Sequence, residues 1–189
     1  NLRKAIKIAE AAAPCVLWID EIEKAFAGVG GNNDIMERMF GYFLSWMQEK
    51  QSCVYVIATA NKVGNLPPEL KRKGRFDEIF CVNLPNKEER KEIFKIHLKK
   101  KKKSLDDASL NSICQMTDEF NGADIESVVN EAVEECFLSE ERELSKNVLE
   151  DIVRQTISSS KSSKQQIDNM KKVFKENNFK DATTGDITT

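Results

Sequence analysis

The run Pro14-Cys15-Val16-Leu17-Trp18-Ile19-Asp20-Glu21 constrains this chain most. A short, almost wholly apolar segment with a β-branched share ends abruptly in two adjacent carboxylates. Continuous apolarity of that length suits a strand buried on both faces, as in a parallel sheet layered between helices. The carboxyl end of such a strand borders the crevice where open α/β sheets bind ligands. Two acids emerging there suit a magnesium–nucleotide site, one carboxylate supporting the metal and the other activating water. A helix N-cap is the plainer reading of the same pair.

The surrounding pattern predicts an α/β layout. Asn1 to Ala13 carries Leu2, Ala5, Ile6 and Ala9 at helical period, and Pro14 ends it. Gly28 to Asn33 reads as a flexible loop, with Asp34 capping a helix through Met36, Met39, Phe40, Phe43, Leu44 and Met47. A second buried strand follows over Cys53 to Ala60, and a third over Glu78 to Leu84, with a turn at Pro67-Pro68 between them. Strand, helix, strand in this order implies parallel pairing. From Asn86 to about Ile157 the periodicity is helical throughout: Lys87–Lys99, Leu110–Met116, Ala123–Leu138 and Ser145–Ile157. Ser158 to Lys164 reads as a polar linker, and Ile167, Met170, Val173 and Phe174 predict an amphipathic tail helix. Asp181 to Thr189 reads as disordered.

Composition narrows the function classes. A net charge of −2 offers no global attraction for nucleic acid or an anionic membrane. No apolar run has bilayer-spanning length, and no secretory leader is recognisable, so a cytoplasmic location is expected. The five cysteines lack metal-ligand spacing and are odd in number, which fits buried thiols in a reducing compartment. The lysine run Lys99–Lys103 has no interleaved aromatics and reads as a solvated helix end.

Two further elements join the acid pair. The second strand ends in Ala58-Thr59-Ala60-Asn61, which sets Asn61 beside the first strand's carboxyl end. A side-chain amide there can orient an attacking water; a turn-forming Asn is the alternative. Then comes Leu70-Lys71-Arg72-Lys73-Gly74-Arg75-Phe76-Asp77. Two arginines after a proline turn could reach a neighbouring subunit's phosphate, since the guanidinium fork binds phosphate oxygens bidentately, or could form an ordinary basic turn.

Together these residues resemble the AAA family of ring-forming ATPases. Val16-Leu17-Trp18-Ile19-Asp20-Glu21 is similar to its Walker B motif, Ala58-Thr59-Ala60-Asn61 to sensor 1, and Leu66-Pro67-Pro68-Glu69-Leu70 through Asp77 to the arginine-finger region. Phe120-Asn121-Gly122-Ala123-Asp124-Ile125 resembles the lid motif, and the likeness runs from Asn1 to Ile157. Ala13 to Phe26, Lys73 to Phe80 and Gln165 to Asp168 look most like the AAA group of cyanobacteria and plastid genomes. No Gly-x-x-x-x-Gly-Lys-Ser/Thr occurs in these residues, so the chain reads as the later part of a P-loop NTPase core.

The resemblance implies an α/β fold: a partial P-loop NTPase core with a parallel sheet over 1–85, a small all-helical lid over 86–157, and a linker and tail over 158–189. It implies ATP and Mg²⁺ as cofactors. Asp20 would support the metal, Glu21 would polarise water, Asn61 would be the sensor, and Arg72 and Arg75 would be fingers for the adjacent subunit. His97, Gly122 and Ala123 would contact nucleotide, although His97 taken alone reads as a half-buried helix residue. Glu49-Lys50 stands where many relatives carry Asp-Gly-Phe for signalling between subunits, a departure from the family pattern. A homo-oligomeric ring, hexameric by resemblance, would act on a protein substrate, without nucleic acid or membrane as partner. Without a P-loop, these residues alone are expected to have little ATPase activity. A competing expectation is a non-catalytic interaction module derived from such an ATPase.

Overall fold

A computed structural model describes residues 1–27, 29, 34–72, 74–139, 144–177 and 179–183. The described residues fall into two units: Asn1–Phe80 with Met170–Lys180, and Cys81–Asn169 with Asp181–Thr183.

The first unit begins with α1 (Leu2–Ala11), then β1 (Cys15–Ile19), the single turn α2 (Ile22–Ala25), α3 (Asp34–Glu49) and β2 (Val54–Ala58). β1 and β2 pair in parallel, Cys15 opposite Val54 through Ile19 opposite Ala58, as the strand–helix–strand order implies. That register sets Asp20 and Thr59 side by side just past the strand ends. The core joins Ile6 and Ala9 of α1 to Phe40, Phe43, Leu44 and Met47 of α3, with the Phe26 ring meeting Phe40 edge-on and Phe43 at a tilt. Trp46 Nε1 donates to Glu10 Oε1 at 2.9 Å, tying α3 to α1.

The sheet departs from the expectation of burial on both faces. Cys15, Leu17 and Ile19 pack on the core, but Val16, Trp18 and Tyr55 stand 60%, 63% and 70% exposed. Local apolarity reports that a strand is suited to burial. It cannot report whether a second layer lies within the same residues. The third strand is also shorter than expected: β3 is only Phe80–Cys81, and it pairs with β4 (Lys180–Asp181) rather than extending the β1–β2 sheet. Asp34 is α3's first residue rather than its cap, and Gly28 and Gly30–Asn33 of the expected loop lie outside the described residues.

The second unit contains α4 (Lys87–Lys100), α5 (Asp107–Met116), α6 (Gly122–Leu138), α7 (Lys146–Gln155) and α8 (Ser159–Ser162). Four of these start at side-chain caps. Asn86 and Asn121 form reciprocal capping boxes with Glu89 and Asp124, and Asp106 and Ser145 accept from Ser109 and Val148. Phe94 and Leu98 of α4, Ile113 of α5, Ile125, Val128 and Val129 of α6 and Leu149 of α7 share one core. Arg90 is buried and donates to the carbonyls of Pro85 and Cys114.

The polar stretch from Ser158 is not a solvated linker. Ser158 and Ser160 are buried, and Ser158 Oγ donates to Glu119 O at 2.7 Å. Ser159 Oγ donates to Asp124 Oδ1 at 2.7 Å and accepts from Asn121 Nδ2 at 2.9 Å. These hydroxyls find partners at the start of α6, so their polarity carries no exposure signal. α9 (Lys164–Asn177) matches the expected tail helix, and β4 (Lys180–Asp181) takes in Asp181, the first residue of the segment read as disordered. Residues 184–189 lie outside the described ones. Cys81, Cys114 and Cys136 are buried as expected, whereas Cys53 is exposed.

Candidate functional site

The parallel register brings Asp20 and Glu21 from the end of β1 together with Thr59 and Asn61 from the end of β2. Glu21 is the residue around which the cluster is built. Its backbone lies at φ 49°, ψ 53°, in the left-handed region. A residue with a β-carbon pays about 1–2 kcal/mol to stand there, so neighbouring groups must hold it. They do: its N–H donates to Thr59 Oγ1 at 3.0 Å, and the next N–H, of Ile22, donates to Thr59 O at 2.9 Å. The turn that follows places Glu21's side chain at the strand end instead of along it.

Both carboxylate oxygens of Glu21 are engaged. Oε1 accepts from Asn61 Nδ2 at 3.0 Å, and Oε2 accepts from Lys24 Nζ at 2.7 Å. The hydrogen bond from Lys24 to Glu21 raises the ammonium's pKa above its ordinary value. Lys24 is largely exposed, so the pair adds little to stability but keeps a cation beside the carboxylate. Asp20 is exposed, and its Oδ1 accepts from the Thr59 hydroxyl at 2.5 Å.

Glu23 completes the cluster from beneath. Only 7% exposed, it accepts the Asn61 backbone N–H on Oε1 at 3.0 Å, while Oε2 is buried with no hydrogen-bond partner. Sequence reading missed both Glu23 and Thr59. Signals for each were present. Glu23 stands three residues before Phe26, on the turn's inward face, and Thr59 precedes Asn61 by two, the strand period that returns a side chain to one face.

The hard oxygen at Asp20 is of the type Mg²⁺ takes, and Mg²⁺ is generally bound by one or two carboxylates, water and substrate phosphates. These residues therefore fit a supporting role toward such an ion. Among the described residues, no group of three or more His, Cys, Asp and Glu comes together as a metal cage.

The two arginines differ. Arg72 is exposed at the end of the 3₁₀ turn Pro68–Lys71. Arg75 is half-buried, its Nη1 donating to Glu69 O at 2.5 Å and its Nε buried without a partner. Gly74 between them has φ +86°, a conformation that favours glycine and turns the chain back toward Arg75.

His97, Gly122 and Ala123 belong to the second unit. His97 of α4 is largely buried, with Nδ1 3.5 Å from Glu126 Oε1 of α6. Gly122 and Ala123 open α6, behind the Asn121–Asp124 capping box. A β-carbon added at Gly122 would meet nothing within 4 Å, so the backbone there is open to approach.

Known proteins place this geometry in context. The profile of the AAA family, "ATPase family associated with various cellular activities", matches residues 1–84. The "Uncharacterized AAA domain-containing protein ycf46" of Pyropia yezoensis is 42% identical over 173 residues, 90% of this chain and 35% of that protein. The "ATP-dependent zinc metalloprotease FtsH 2" of Salinibacter ruber is 39% identical over 138 residues, 70% of this chain and 20% of that protein. The crystal structure of the FIGL-1 AAA domain superposes with a TM-score of 0.75 at 19% identity, covering 93% of this chain and 61% of that one. The chain thus spans about a third of the length of the ycf46 relatives it matches.

Proposed function

Because residues 1–84 belong to the AAA family of ATPases, we propose that this chain is the Walker B, sensor 1 and lid portion of an ATP-hydrolysing AAA protein. The single observation that carries the reading is the 3.0 Å contact between Asn61 Nδ2 and Glu21 Oε1 at the ends of two parallel strands. It joins an amide that can orient a water to a carboxylate that can take that water's proton.

In this reading Glu21 would polarise the attacking water, Asn61 would orient it, and Asp20 would support Mg²⁺. When bound, the metal and ATP supply the electrophilic phosphorus and neutralise its charge. The chain's own residues hold the proton acceptor and the water in line. Lys24 must release Glu21, or follow it, for the carboxylate to turn toward water. Arg72, being exposed, suits a finger reaching an adjacent subunit; Arg75 would first have to leave the Glu69 carbonyl. His97, Gly122 and Ala123 would border the nucleotide.

The finer assignments are part of the same proposal: a self-associating ring, hexameric by analogy, that uses ATP to remodel a protein partner in a cytoplasm-like compartment. The domain limits 1–85, 86–157 and 158–189 belong to it as well. No described helix is long and apolar enough to cross a membrane.

The test is ATP hydrolysis by a longer polypeptide that carries this chain with a phosphate-binding loop, beside its Glu21→Gln variant. Removing the general base should lower kcat by about 10²- to 10⁴-fold. The rate per protomer should rise with concentration if subunits complete one another's sites. Equal rates in both proteins, or no hydrolysis at any concentration, would replace the enzyme by a non-catalytic interaction module.

A further inference from the structure

Thr59 has no role in the reading above, yet it is tied to every residue from Ile19 to Ile22. Its N–H donates to Ile19 O at 2.9 Å, and its carbonyl accepts from Ile22 N–H at 2.9 Å. Its hydroxyl does two things at once: it donates to Asp20 Oδ1 at 2.5 Å and accepts from Glu21 N–H at 3.0 Å. The backbone bonds could be made by any residue but proline. The side-chain pair could not. It requires one atom that is both donor and acceptor, at a length that reaches a carboxylate and an amide together, and only a hydroxyl on the β-carbon meets that demand.

We propose that Thr59 is a positioning residue for ATP hydrolysis, an inference that rests on the AAA-ATPase reading of this chain. By engaging Oδ1, its hydroxyl fixes the orientation of the Asp20 carboxylate, which would support Mg²⁺. By accepting from Glu21 N–H, it holds Glu21 in the left-handed turn from which its side chain meets Asn61. One hydroxyl therefore sets the metal-supporting and the water-activating carboxylates relative to each other. Valine at this position keeps the volume and loses both bonds; serine keeps both bonds and loses only a methyl group.

The experiment uses the longer polypeptide with its phosphate-binding loop, and compares wild type, Glu21→Gln, Thr59→Val and Thr59→Ser. The readouts are kcat, KM for ATP, the Mg²⁺ concentration giving half-maximal rate and, without turnover, the Mg²⁺ concentration giving half-maximal binding of a non-hydrolysable ATP analogue. Residues that orient a metal's ligands typically account for about 10- to 100-fold in activity or metal affinity. Thr59→Val should lose activity within that range and need correspondingly more Mg²⁺, with KM for ATP changed less than about twofold. Thr59→Ser should recover most of the wild-type rate and Mg²⁺ response. A Thr59→Val enzyme with wild-type kcat and Mg²⁺ dependence, while Glu21→Gln is inactive, would overturn this inference alone. So would Thr59→Ser as impaired as Thr59→Val, since the methyl group would then be what matters. Inactive wild type, or a fully active Glu21→Gln, would overturn the ATPase reading and this inference with it. If thermal melting shows Thr59→Val misfolded, Thr59→Ala, which removes the hydroxyl without a branched side chain, carries the same comparison against Thr59→Ser.

Discussion

In the helical unit, Ile113, Ile125, Val128, Val129 and Leu149 come from three helices and all reach 0% exposure. In the sheet unit, β1 and β2 cover one face with α1 and α3 and hold Val16, Trp18 and Tyr55 toward water. The difference lies in what each element needs for closure. A helix buries one stripe, and three neighbours supply one another's cover. A parallel sheet has two faces, and α/β proteins layer both. The helical unit is closed by residues on hand; among the described residues the sheet unit leaves one apolar face uncovered.

Substitutions can break this comparison. The largest effect is expected for Leu149→Ala: a fully buried leucine replaced by alanine costs about 2–5 kcal/mol, and urea unfolding would measure it. A loss below about 1 kcal/mol would mean that the helical core can collapse around the gap. Next is Ser158→Ala, which leaves the Glu119 carbonyl without its donor and should cost about 1–3 kcal/mol by the same measurement. If that variant unfolds like wild type, the 158–160 segment is not anchored to α6.

Acid should loosen the helical unit through its surface carboxylates. Hydrogen bonding from Lys91 depresses the Asp107 pKa, and bonds from Ser109 and Ser112 depress those of Asp106 and Glu150. A depressed folded-state pKa means stability fully present above the ordinary carboxylate range and lost as pH falls through the lower folded value. Circular dichroism against pH should therefore show helix loss setting in below about pH 4, and Asp107→Asn should blunt that pH dependence. An unchanged profile in the variant would remove Asp107 from the account. The smallest effect is expected for Trp18→Ala, within about 1 kcal/mol in this chain because the indole is mostly in water already. In a longer polypeptide that covers the face, the same substitution should become one of the costlier ones, and equal costs in both settings would leave the face an outer surface.

The sequence made the parallel pair, the helical unit and the Asp20–Glu21–Asn61 grouping legible, because each is a local signal: an apolar run, a helical period, a polar residue where a strand stops. What it hid depends on partners distant in the chain. The apolar run at Val16 and Trp18 looks the same whether its second face is covered or bare. Ser158 and Ser159 look solvent-bound until Glu119 and Asp124 accept their hydrogen bonds. Thr59 looks like an ordinary β-branched strand residue until Asp20 and Glu21, some forty positions earlier, fall within its reach.

The chain's two tryptophans divide along the same line. Trp46 is buried and bonded to Glu10, while Trp18 stands on the bare face of β1. Their ultraviolet emission is therefore two signals in one spectrum: a blue component from Trp46 that reports whether α1 and α3 are packed, and a red, iodide-quenchable component from Trp18. Whatever settles on the sheet would shift and shield the second component while leaving the first in place, so the protein carries its own optical gauge of that encounter.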